Sequence, residues 1–166
     1  RVAAKPDAAG GTATLTVQEQ VDAFLASNAF TSGDLVLVGT GVSDVVAEAQ
    51  AAITGAQTRT QMLANLGQAG RDLGAQVRRL VKAGATHVLV TGTYNLGRSP
   101  WAVDTKQEAL LLEASTIFND QFLVSVVDLG ANVLYVDAAL QLNLVTASPA
   151  TYSLTNSVAA VCTSMD

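Results

Sequence analysis

The stretch from Asp34 to Asp44, DLVLVGTGVSD, limits what this chain can fold into more than any other. Leu35-Val36-Leu37-Val38 is an unbroken apolar run, and Gly39-Thr40-Gly41 ends it just before a helical pattern starts. Such a run suits a parallel strand covered on both faces, because crossover helices pack on either side of a parallel sheet. In these sheets ligands and chemistry gather where the carboxyl ends of strands turn into helices. Gly39 to Asp44 is therefore the first candidate for a functional site.

The flanking sequence agrees with an α/β fold. Residues 1 to 15, rich in Ala, Gly and Thr, read as a loop. Thr16-Val17-Gln18-Glu19 has the capping-box form and opens a helix with Val17, Val21, Phe24 and Leu25 on one face, ending near Asn28. Beyond the strand at 35–38, helices are expected from Asp44 to Ile53 and from Thr58 to Ala83. The second has Met62, Leu66, Leu73, Val77 and Leu80 at helical spacing. Gly67, Gly70 and Gly74 cost this helix propensity, which implies close packing against a neighbour. Gly84 suits a C-cap, and a second strand follows at 86–91. Then come a loop from Gly92 to Val103, a long helix from Asp104 to Leu129, a third strand at 133–137, a short helix from Ala138 to Ala147, and a polar tail. Strands alternating with helices give one α/β domain over 1–166 with a parallel sheet and flanking helices.

Composition narrows the function. A hydrophobic content of 49% with 14% charged residues supports a real core. The formal net charge of −5 argues against nucleic acid and against an anionic membrane surface. Arg71, Arg78, Arg79 and Lys82 lie along one helical segment and read as a solvated face. No apolar run approaches the ~20 residues of a membrane span. The single cysteine, Cys162, excludes an internal disulfide, and with only one histidine no metal site or cofactor is implied.

The turn after the first strand invites two chemical readings. Ser43 in Gly41-Val42-Ser43-Asp44 suggests a nucleophile elbow, but the closing glycine is missing. Its base would have to be the only histidine, His87, which begins its strand while Ser43 lies beyond the end of a neighbouring one. At ~3.3 Å per residue that separates them by roughly 20 Å. His87 therefore reads as a structural or surface residue. The other reading, a dinucleotide loop, lacks its third glycine because Asp44 stands there.

The run Asp34-Leu-Val-Leu-Val-Gly-Thr-Gly-Val-Ser-Asp44 resembles the third conserved block of the GDSL (SGNH) esterases and lipases, where a strand leads into Gly-x-Asn-Asp. Val77-Arg-Arg-Leu-Val-Lys-Ala-Gly-Ala-Thr-His-Val-Leu-Val90 is similar to the family's helix-to-strand passage. Asn95-Leu-Gly-Arg-Ser-Pro100 resembles a loop of its bacterial secreted members. Phe118-Asn119, Asn132-Val-Leu-Tyr-Val-Asp137 and Pro149-Ala-Thr-Tyr-Ser-Leu-Thr-Asn156 extend the likeness over nearly the whole chain. The departures are plain. The Gly-Asp-Ser nucleophile block and the Asp-x-x-His block are both absent, and Ser43 stands in place of the oxyanion Asn.

The resemblance implies a flavodoxin-like SGNH-hydrolase fold. It also implies the middle segment of a secreted or periplasmic serine esterase or lipase, acting on small-molecule or lipid esters without a cofactor. The nucleophile and the Asp-His pair would lie outside these residues. Gly41 and Ser43 would form part of the oxyanion hole, and Tyr94, Asn95 and Trp101 would line the substrate pocket. Loop packing is the competing reading for Tyr94 and Trp101, and a helix N-cap is that for Asp44. Two other functions stay open: a non-catalytic binding domain on the same fold, and a nucleotide-binding module. If the strands are the family's third to fifth, 35–38 lies at a raw edge. Its Leu35, Val36, Leu37 and Val38 would then be exposed until covered by missing segments or another chain. Cys162 is expected to pair with a cysteine beyond Asp166, with a buried free cysteine as the competing reading.

Overall fold

The computed structural model describes residues 1–160, so Cys162 lies outside the described residues. Three short strands, β1 (Val36–Gly39), β2 (Val88–Thr91) and β3 (Val133–Val136), form one all-parallel sheet in the order β1-β2-β3. The Val36 N–H donates to the His87 carbonyl at 2.9 Å and the Val88 N–H to that of Asn132 at 2.8 Å. These bonds set Val36 beside Val88 beside Val133, and Val38 beside Val90 beside Tyr135. Among the described residues six α-helices accompany the sheet: α1 (Val17–Leu25), α2 (Val42–Ile53), α3 (Arg59–Lys82), α4 (Pro100–Thr105), α5 (Glu108–Val126) and α6 (Ala138–Ala147).

Local chemistry explains where the helices start. Thr16 with Glu19, and Thr58 with Gln61, make complete capping boxes on α1 and α3. The segment that reads as a loop to Val103 followed by one long helix is instead two helices. Ser99 caps the first through the Ala102 N–H at 3.2 Å, with Pro100 at the opening helical position. Lys106 then takes a left-handed conformation (φ 56°) that ends α4 before α5 begins.

The sheet is covered on one face only, which corrects the reading of β1 as a strand buried on both sides. Successive side chains of a strand point to opposite faces. Val36, Val38, Val88, Val90, Val133 and Tyr135 join the core formed with α3 and α5. On the other face Leu37 is 69% exposed, Leu134 is 63% exposed and Leu89 is half-buried. Topology gives the reason. Crossovers between parallel strands are right-handed, and both of these run the same way along the sheet, from β1 to β2 and from β2 to β3. Both therefore place their helices on the same face. The raw edge is likewise partly sheltered: Leu35 and Leu37 are exposed, but Val36 is half-buried and Val38 is buried.

With the 3₁₀ turn that follows it, α5 gives an apolar helix of 22 residues, Glu108–Leu129, with mean hydropathy 1.3. By length and composition alone it is long and apolar enough to cross a membrane, although Glu113, Asn119 and Asp120 interrupt any continuous apolar run. Its Leu111, Ala114, Phe118 and Phe122 are buried in the core. Of the basic residues of α3, Arg71 is hydrogen-bonded to Gln121, Arg78 pairs with Asp128, and Arg79 pairs with Asp22 of α1.

Candidate functional site

Two residues beyond the sheet, the turns after β1 and β2 meet at Gly41 and Thr93. Gly41 is the N-cap of α2 with φ 114° and ψ −29°. A Cβ built there would come within 2.4 Å of the Phe118 ring and 2.9 Å of Thr93 Cγ2. Thr93 is fully buried and clamped to Asn119 of α5. Its N–H and hydroxyl both donate to Asn119 Oδ1, at 2.9 and 3.0 Å, and its carbonyl accepts from Asn119 Nδ2 at 3.0 Å. The tight start of α2 is thus held against a rigid wall. In the sequence Asn119 stands out only within the resemblance carried by Phe118-Asn119. The available signal was an amide within the buried stripe of an apolar helix, where an unpaired polar group would be costly.

Asp44 is not the N-cap. Glycine's left-handed conformation lets α2 begin at Val42, two residues earlier than the sequence suggests, so Ser43 and Asp44 fall in its first turn. Their side chains engage the N-terminal segment. Asp44 is buried, and its two carboxylate oxygens accept from the Val2 and Ala3 N–H groups at 2.8 Å each. Ser43 Oγ accepts from the Ala8 N–H at 2.9 Å, which leaves its own hydrogen to donate. One turn further on, Glu48 is buried and bonded to Lys5, Gln57 and Asn65. Burial pushes the Glu48 carboxyl up, but these three hydrogen bonds outweigh it and hold it below the ordinary range.

The other residues singled out from sequence fall in different settings. Tyr94 is half exposed on the loop that follows Thr93. Asn95 is buried and structurally engaged: its Oδ1 accepts from the Gly97 N–H at 3.0 Å and its Nδ2 donates to Asn143 at 2.6 Å. Its amide thus holds the turn and ties it to α6. Trp101, on α4, is half-buried against the core. His87 is exposed at the amino end of β2, with Nδ1 beside the Thr86 hydroxyl at 3.1 Å, at the opposite end of the sheet from Gly41 and Ser43. Among the described residues no cluster of His, Cys, Asp and Glu is placed to hold a metal ion.

Along the free edge of β1 runs a groove of about 880 Å³, walled by Val17, Val21 and Phe24 of α1 and floored by residues 35–40. Thr40, at its carboxyl end, has a buried hydroxyl with no hydrogen-bond partner among the described residues. The Val36 N–H faces β2, so strand alternation turns the N–H and C=O of Leu37 toward the groove, unpaired. No protein-family model and no curated protein matches the chain.

Proposed function

We propose that this chain carries the oxyanion-side half of a serine ester hydrolase of the GDSL type, secreted or periplasmic, acting on small-molecule or lipid carboxylic esters. One observation carries the reading: β1 is an open edge while the face bearing Leu37, Leu89 and Leu134 is bare. A parallel strand added at that edge, with a right-handed crossover running the other way, would cover the bare face. The order of connections would then reverse beside β1. Ligand crevices lie at such switch points, beyond the strand carboxyl ends, where Gly41 and Ser43 stand.

In this reading the nucleophilic serine and its Asp-His pair arrive on the added unit. Attack on the ester carbonyl, with the histidine taking the serine proton, gives a tetrahedral oxyanion. Its collapse breaks the ester C–O bond, releases the alcohol with that proton and leaves an acyl-serine, which water hydrolyses to the carboxylic acid and free serine. The first-turn N–H groups of α2, which have no partner within the helix, and the Ser43 hydroxyl would donate to that oxyanion. A hydroxyl donates one bond and rotates freely, whereas an amide is a fixed donor. In the longer chain that this reading requires, Ser43→Asn is therefore expected to keep or raise turnover of a short-chain p-nitrophenyl ester. The 166 residues alone are expected to show no hydrolysis above buffer. A tenfold fall in turnover for the correctly folded variant, or enzyme-like hydrolysis by the 166 residues that Ser43→Ala abolishes, would overturn the assignment. A second reading, a non-catalytic binding domain on the same fold, is favoured by Ser43 standing where the family carries its oxyanion Asn.

A further inference from the structure

Residues 3–15 form a closed loop that leaves the body of the fold and returns to it. Its ends are joined where the Val17 N–H donates to the Arg1 carbonyl at 3.0 Å, and its base is pinned by Asp44. The loop carries its own internal framework. The Arg1 guanidinium donates to the carbonyls of Lys5, Gly11 and Thr12. Asp7 accepts from the N–H groups of Ala9 and Gly11, at 3.0 and 2.7 Å. Compact surface loops of this length with close ends and their own internal packing are frequently functional. Between Lys5 and Thr14 no side chain enters the core. The tip is tied to α2 at only two places, Lys5 to Glu48 and Ala8 to Ser43.

We infer that residues 3–15 are a lid that gates Ser43. Closed, the lid donates the Ala8 N–H to Ser43 Oγ and leaves Ser43 half-buried at the start of α2. Open, it swings on its Asp44-held base and frees the hydroxyl without disturbing the core. Segments held by few buried apolar contacts open at far lower free energy than the global fold. The gate belongs to the same site as the proposed ester chemistry and its biological meaning rests on that reading, but its motion does not depend on any catalysis.

The test places a thiol under the lid. In the full chain with Cys162→Ser, Ser43→Cys is treated with 5,5′-dithiobis(2-nitrobenzoate) and the rate of modification followed. Adding Lys5→Ala removes one of the two ties between the tip and α2, so modification should quicken severalfold. Replacing residues 5–12 by two glycines removes the tip, and modification should then quicken beyond that, with the thermal melt of the core unchanged. Equal rates in all three proteins would overturn the gate. So would acceleration that appears only where the core melt also falls, because opening would then be global unfolding. Loss of ester chemistry in a longer chain, with these rates as expected, would sink the hydrolase reading and leave the lid standing.

Discussion

Gly41→Ala is expected to destabilise the chain by about 3 kcal/mol, through two effects that act together. A φ of 114° lies in the left-handed region, where a side chain costs roughly 1–3 kcal/mol. The added methyl would also sit 2.4 Å from the Phe118 ring and 2.9 Å from Thr93 Cγ2. Neither neighbour can give way easily, since Phe118 is buried in the core and Thr93 is bound three times to Asn119. Overpacking of this kind adds roughly 1–3 kcal/mol. A thermal melt followed by circular dichroism should fall by about 6–12 °C, at the 2–4 °C per kcal/mol usual for a chain of this size. An unchanged melting temperature would mean that the turn into α2 is built differently, and the placement of Ser43 would fall with it.

The second large effect lies between α3 and α5, where two glycines on one helix should respond with opposite signs. A Cβ at Gly70 would meet the Phe118 carbonyl oxygen at 2.4 Å and the Phe122 nitrogen at 3.0 Å. These are backbone atoms of α5, so relief requires moving a whole helix. At Gly67 the nearest atoms are 3.5 Å away, Arg71 Nη1 and Gln121 Cγ, which is ordinary contact. Both substitutions to alanine gain about 1 kcal/mol of helix propensity. Gly67→Ala should keep that gain. Gly70→Ala should lose about 2 kcal/mol net, because the clash outweighs it. Denaturant melts of the two variants isolate the packing contribution, and equal shifts would show that the helices do not approach as closely as described.

Much of this architecture can be read from residue patterns. The capping box at Thr16, the helix start near Thr58, the apolar runs of the three strands and the short helix Ala138–Ala147 are local signals, and the fold keeps them. Gly70 and Gly74 mark the close approach of α3 to α5, as loss of helix propensity at those positions implies. The misses have physical causes. Ser99-Pro100 is a helix start whose signal was lost inside a loop rich in turn residues. Leu35 to Val38 reads the same whether the second face of a sheet is covered or bare, because periodicity reports the run and not its partners. The lid could be seen only as a loop. Its attachments, from Val2, Ala3, Lys5 and Ala8 to residues of α2, span about forty positions and are made largely by backbone N–H groups, which sequence does not distinguish. For Ser43 and Asp44 the pattern located the turn but not the direction of either side chain.

The central claim is that β1 and the leucine face beside it are surfaces made to be covered by a further strand and its helix. Light scattering on the purified chain in the micromolar range tests it most directly, alongside Leu37→Pro. That substitution removes an outward-facing N–H that β2 does not use, and proline is tolerated at a sheet edge. The chain is expected to scatter as a complex well above its 17.0 kDa mass, and the variant to shift toward 17.0 kDa. A 17.0 kDa monomer that melts cooperatively, with Leu37→Pro making no difference, would contradict the account.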